Sequence, residues 1–128
     1  MNRTLFLTTF VVLTLTLSLV VQPVAASTPG IQILSPMQGA TVMGPNVTFS
    51  FLVTNFILSP AEIGMLPVPG HGHLHVILDG TLAVITADGT HTLMGLMPGM
   101  HTVRVELHQN NHLLLTPPVD ATVTFTVM

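Results

Sequence analysis

Short runs of alternating apolar and polar residues, each cut off by a turn pair, constrain this chain more than any single motif does. Val47 to Phe56 is the longest run. Val47, Phe49, Phe51 and Val53 share one face, and Thr48, Ser50 and Thr54 fall on the other. A period of two specifies a strand with one face in a core. Ile31 to Leu34, Ala40 to Met43, His73 to Leu78, Leu82 to Thr86, Thr90 to Leu96, His101 to His108 and Ala121 to Val127 read the same way. Ser35-Pro36, Gln38-Gly39, Gly44-Pro45-Asn46, Asp79-Gly80, Asp88-Gly89 and Pro98-Gly99 punctuate them. Leu58 to Gly70, with Pro60, Pro67, Pro69, Gly64 and Gly70, reads as a loop. No segment after the first two dozen residues carries a helical period with caps. The expected architecture is all-β, an antiparallel sandwich of about seven to eight strands.

The N-terminus reads differently. Arg3 precedes an apolar run from Leu5 to Val21, and Val24-Ala25-Ala26 places small residues where a signal peptidase cuts. The run is about 17 residues, short for a membrane span. Residues 1–26 are therefore read as a cleaved signal peptide and 27–128 as a single β-sandwich domain. The domain is expected to be exported, periplasmic or extracellular, with no membrane contact after cleavage.

Charge and cysteine content narrow the function. The sequence has no cysteine and no lysine. Disulfides, thiolate metal sites and cysteine nucleophiles are excluded. Beyond the leader, Arg104 alone faces Glu62, Asp79, Asp88, Glu106 and Asp120, hence a net charge of −4 with histidine neutral. A nucleic-acid partner needs a basic footprint that this chain lacks, as does a polybasic membrane contact. No serine sits in a nucleophile motif and no carboxylate pair stands out, so no enzyme activity is expected. The six methionines from Met37 to Met100 read as core gap-fillers.

All seven histidines lie between residues 71 and 112. His71, His73 and His75 alternate, so they share a strand face, with Leu74, Val76 and Leu78 on the core face. Two imidazoles so spaced can aim at one ion. His108 and His112 flank Gln109-Asn110-Asn111, which suits a three-residue hairpin loop because asparagine tolerates φ > 0. The two rings would then face each other across the hairpin, with Cβ atoms about 5 Å apart.

The segment Leu96-Met97-Pro98-Gly99-Met100-His101-Thr102-Val103-Arg104-Val105 resembles the corner of fibronectin type III and immunoglobulin-like domains. His101 occupies the slot where those folds place a tyrosine bonded to corner backbone. Ile33-Leu34-Ser35-Pro36 with Gly39-Ala40-Thr41-Val42 is similar to the opening strands of bacterial immunoglobulin-like modules. Gly72-His73-Leu74-His75-Val76, Pro98-Gly99-Met100-His101 and Asn111-His112 resemble small exported bacterial domains of uncharacterised function with a GHxHV, PGxH, NH order. A weaker likeness, through His91 and Met94, is to periplasmic copper chaperones of the cupredoxin-like class, whose separate C-terminal His-x-Met is missing here.

The immunoglobulin-like resemblance implies that the strand opened by His73 lies antiparallel beside the strand closed by His108. The candidate metal ligands are then His73, His75, His108 and His112, with His71 optional, converging at one end of an outer sheet face. His91 reads as a surface residue and His101 as a corner residue. The expected cofactor is a copper ion, with zinc the alternative. Beyond the ion, only another exported protein remains as a partner. Ligand histidines bind when neutral, so affinity is expected to fall below roughly pH 6. The competing reading is a structural or adhesion module of the same fold with no metal.

Overall fold

The computed structural model describes residues 20–128. The leader of residues 1–26 falls mostly outside this range. Residues 20–29 have no regular structure. Nine strands follow: β1 (Gly30–Ser35), β2 (Thr41–Val42), β3 (Val47–Thr54), β4 (Ile57–Leu58), β5 (His71–Leu78), β6 (Thr81–Thr86), β7 (Thr90–Leu93), β8 (Gly99–Gln109) and β9 (Asp120–Val127). A single 3-10 turn, Pro60–Glu62, interrupts the described residues. No helix among them is long and apolar enough to cross a membrane.

The strands form two sheets, one in the order β1-β3-β7 and one in the order β2-β9-β8-β5-β4, with β6 also paired to β5. All pairings are antiparallel except two short ones, β2 with β9 and β4 with β5. The fold is the expected all-β sandwich of immunoglobulin-like type. Eight of the nine correspond to expected strands; the additional one, β4, is two residues at the margin of the expected Leu58 to Gly70 loop.

Alternation builds the core. Ile31, Val47, Phe49, Phe51 and Leu93 face inward from the smaller sheet, and Leu74, Val76, Val103, Val105, Leu107, Val123, Phe125 and Val127 from the larger. Phe49 and Phe125 meet edge-to-face across the sandwich at 5.5 Å between centroids. Each such side chain contributes about 1.5–3 kcal/mol when fully buried. The methionines do not join them. Met37, Met43, Met65, Met94, Met97 and Met100 are all exposed. Most of them flank the glycines and prolines of turns, and Met100 has the outward parity of β8, so the alternating valines, leucines and phenylalanines fill the interior without them.

Two residues fix the geometry around which a site could form. Gly72 lies where β5 runs close against β8. A Cβ there would strike the His108 carbonyl and press on Phe56. We expect Gly72→Ala to cost about 1–3 kcal/mol, read from chemical denaturation. An unchanged midpoint would show that the strands can part freely.

His101 holds the opposite end. Its Nε2 donates to the Met97 carbonyl at 2.7 Å, and its Nδ1 to Asp79 at 2.7 Å. The other Asp79 oxygen accepts the Thr102 amide at 2.8 Å. The ring bonds corner backbone, as the resemblance implies; the tie to the β5–β6 turn through Asp79 adds to it. The bond to Met97, then that to Asp79, raises the His101 pKa above the ordinary histidine value. His101→Ala should destabilise the domain by about 1–3 kcal/mol and leave metal affinity unchanged. Lost metal binding at unchanged stability would contradict this placement.

Candidate metal centre

The site is built on the outer face of the β5–β8 pair. His73 lies directly opposite His108, and His75 opposite Glu106. The β5 alternation turns His73 and His75 to this face while Leu74 and Val76 enter the core. The outer face is nevertheless not open here. His73 is 0% exposed, and Glu106 and His108 are buried as well. The Pro60–Glu62 turn and its neighbours are drawn against this end of the sheet. Buried Asn110 donates to Glu62 and to the Leu66 carbonyl, and the Gly64 amide donates to the Asn110 carbonyl.

Three imidazole nitrogens meet. Nε2 of His73 lies 3.0 Å from Nε2 of His75 and 3.1 Å from Nδ1 of His112, and the last two are 3.3 Å apart. These side chains form a group of potential metal ligands among the described residues. The three edges are nearly equal. A point about 2 Å from all three nitrogens, the usual metal–imidazole bond length, lies just off their plane. Such a face leaves at least one coordination position free.

Hydrogen bonds alone do not account for this cluster. Three neutral imidazoles offer one N–H each, and His73 presents the same nitrogen to both neighbours. Nδ1 of His73 is buried with no partner among the described residues. Burial first, then the neighbouring His75, His112 and His108, depress the His73 pKa to about 4. His75 is likewise depressed to about 4, by burial and then by His108 and His112, with Glu106 acting the other way. Both rings are therefore neutral, the form that binds metal, well below the pH expected from free histidine.

The other candidates fall outside the triangle. His108 packs its ring on His75 at 3.7 Å between centroids and 8° between planes. Its Nδ1 donates to the His112 carbonyl at 3.0 Å, and its Nε2 lies 3.0 Å from a Glu106 oxygen. With both nitrogens on oxygen acceptors, it offers no lone pair to the triangle. His71 opens β5 but turns its Nδ1 to Glu62 at 3.0 Å. That bond is the main cause of a Glu62 pKa below the ordinary carboxylate value. His91 sits on β7 in the other sheet, opposite Phe49.

The hairpin register differs by one residue from expectation. His108 bridges to Leu114, the Gln109 amide bonds the Leu113 carbonyl, and the three-residue loop is Asn110-Asn111-His112. His112, not either asparagine, takes the left-handed conformation, with φ of 66°. Asn110 is held instead by Glu62 and Leu66, which moves the tip onward. The sequence carries no signal for Glu106 and Arg104 beside the cluster, except that even-numbered residues of β8 share the His108 face.

No family model matches the chain, and neither does any curated protein. Solved structures with a similar fold include the fibronectin(III)-like modules of Clostridium thermocellum CbhA. That overlay has a TM-score of 0.51 at 12% identity, covering 77% of this chain and 46% of that one. An engineered protein matches with a TM-score of 0.52 at 18% identity over 81% of this chain and 21% of its own. The chain thus spans about half the length of the first and a fifth of the second. CopC from Methylosinus trichosporium OB3b overlays more loosely, with a TM-score of 0.39 and 17% identity over 78% of this chain and 93% of CopC. At these identities the likeness is one of fold.

Proposed function

We propose that this protein is an exported metal-binding module in which His73, His75 and His112 hold one ion, with copper the ion held most tightly. The near-equilateral triangle of imidazole nitrogens carries the reading. Its donor set, all imidazole and no thiolate, suits copper(II) or zinc(II), and copper(II) binds a given nitrogen site more tightly. Zinc is the alternative that suits the shape. A tetragonal copper site places two donors opposite each other, about 4 Å apart, and no edge here is that long. A fibronectin-like fold with few acids supports a binding role without turnover.

The leader belongs to the same proposal: residues 1–26 direct export and 27–128 remain as the domain. The test is recovery of the protein from outside the cytoplasm, with its mass and metal content measured. A chain beginning at Ser27 that takes up one copper per molecule, in competition with zinc, is the expected result. A domain that binds neither ion at micromolar concentration would leave the fibronectin-like neighbours as the better guide, and with them a structural or adhesion module.

A further inference from the structure

Resting on that metal reading, we propose that His108 is a positioning residue: it sets two of the three ligands and is itself no ligand. A chain of bonds runs along the outer face of β8. Arg104 Nη1 donates to Glu106 at 2.8 Å, Glu106 holds His108 Nε2 at 3.0 Å, and His108 Nδ1 reaches the His112 carbonyl at 3.0 Å. Arg104, Glu106 and His108 are spaced by two on one strand, so a single rigid element carries the whole chain. Arg104 is the one arginine beyond the leader.

Each contact of His108 acts on a different ligand. The stacked ring lies parallel to His75 and restricts its rotation about the side-chain bonds. The bond to the His112 carbonyl fixes a backbone that stands at φ of 66°. That conformation is disfavoured for a residue with a Cβ, and it belongs to the loop geometry that brings the His112 ring back to His73 and His75. The third ligand, His73, lies directly across the strand pair from His108. Residues that orient ligands in this way raise affinity by removing the ordering cost from the binding step.

The test compares the mature domain with His108→Phe and Glu106→Gln, using copper(II) and zinc(II) salts as the probes. His108→Phe keeps a ring to stack on His75 and loses both hydrogen bonds. Glu106→Gln leaves His108 in place and weakens its anchor. Circular dichroism and thermal melting establish that each variant is folded. Electron paramagnetic resonance of the copper(II) form counts the ligand nitrogens. We expect three imidazole nitrogens in wild type and in both variants. Affinity should fall about ten- to a hundredfold in His108→Phe and at least threefold in Glu106→Gln.

A fourth nitrogen in wild type that vanishes in His108→Phe would overturn the assignment by making His108 a ligand. A folded His108→Phe that binds within twofold of wild type would overturn it by making His108 a bystander. Should His108→Phe fail to fold, an unchanged affinity in Glu106→Gln overturns it in the same way. Wild type that binds neither ion would sink the metal reading itself, a result distinct from the other two.

Discussion

Replacing His73 and His75 together by alanine should abolish copper and zinc binding. Structural zinc sites in small peptides are worth about 10–16 kcal/mol across four ligands, so one imidazole contributes about 3 kcal/mol, or roughly a hundredfold. His73→Ala or His75→Ala alone should therefore cost about a hundredfold, and the pair about ten thousandfold. His91→Ala is the control, because it lies on the other sheet opposite Phe49. A competition titration against a chromophoric chelator reads wild type and all four variants. The folded state should survive, since both rings project from the face opposite the core. Removing them also removes two polar rings from a covered site, one with an unsatisfied nitrogen. If the double variant kept copper affinity within tenfold of wild type, ligation at this triangle would be ruled out.

Much of the frame behind that prediction is legible in the sequence. The alternation of Val103, Val105 and Leu107 against Arg104, Glu106 and His108 fixes which face of β8 is which. The Pro98-Gly99 corner fixes where β8 begins. Together with the immunoglobulin-like order these place His73 beside His108, and the two are direct partners.

What the sequence does not carry is the chemistry of each ring. A histidine pattern gives parity, but parity does not say which nitrogen is free. By pattern His108 is equivalent to His75, yet the carboxylate two residues before it on the same face takes its Nε2. The expected hairpin places His112 beyond the loop, and the actual loop is displaced by one residue to include it. The buried bonds of Asn110 to Glu62 and Leu66 outweigh the local preference of asparagine for positive φ. Those bonds come from residues 48 and 44 positions away, which no local pattern encodes. Burial of His73 is also beyond parity, because the rings of His75, His108 and His112 close around it only once the hairpin has taken its actual register.

That burial has a measurable consequence in acid. His73 and His75 titrate at about 4 in the folded metal-free domain and near about 6.5 when unfolded. Between these values the unfolded chain binds more protons, so stability falls as pH drops from about 6.5 to about 4. Because the two groups share one cluster and their contributions overlap, the loss is on the order of 3 kcal/mol for the pair. His101 has the opposite sign. Its raised value gives stability that is fully present below about 6.5 and is lost as pH climbs through the folded pKa. Glu62 and Asp79, both depressed, lose their contributions only near and below the ordinary carboxylate range. The metal-free domain should therefore be most stable near neutrality, with an acid limb set by His73 and His75. Urea midpoints at pH 7 and pH 4.5 measure it, and the double alanine variant should lose most of that limb. Metal binding should follow the same groups. Above about pH 5, uptake should release at most one proton per ion, because two of the three ligands are already neutral, and the affinity should drop steeply only below that. A release of two or more protons per ion at pH 6 would mean that His73 and His75 are not the neutral pair on which the centre depends.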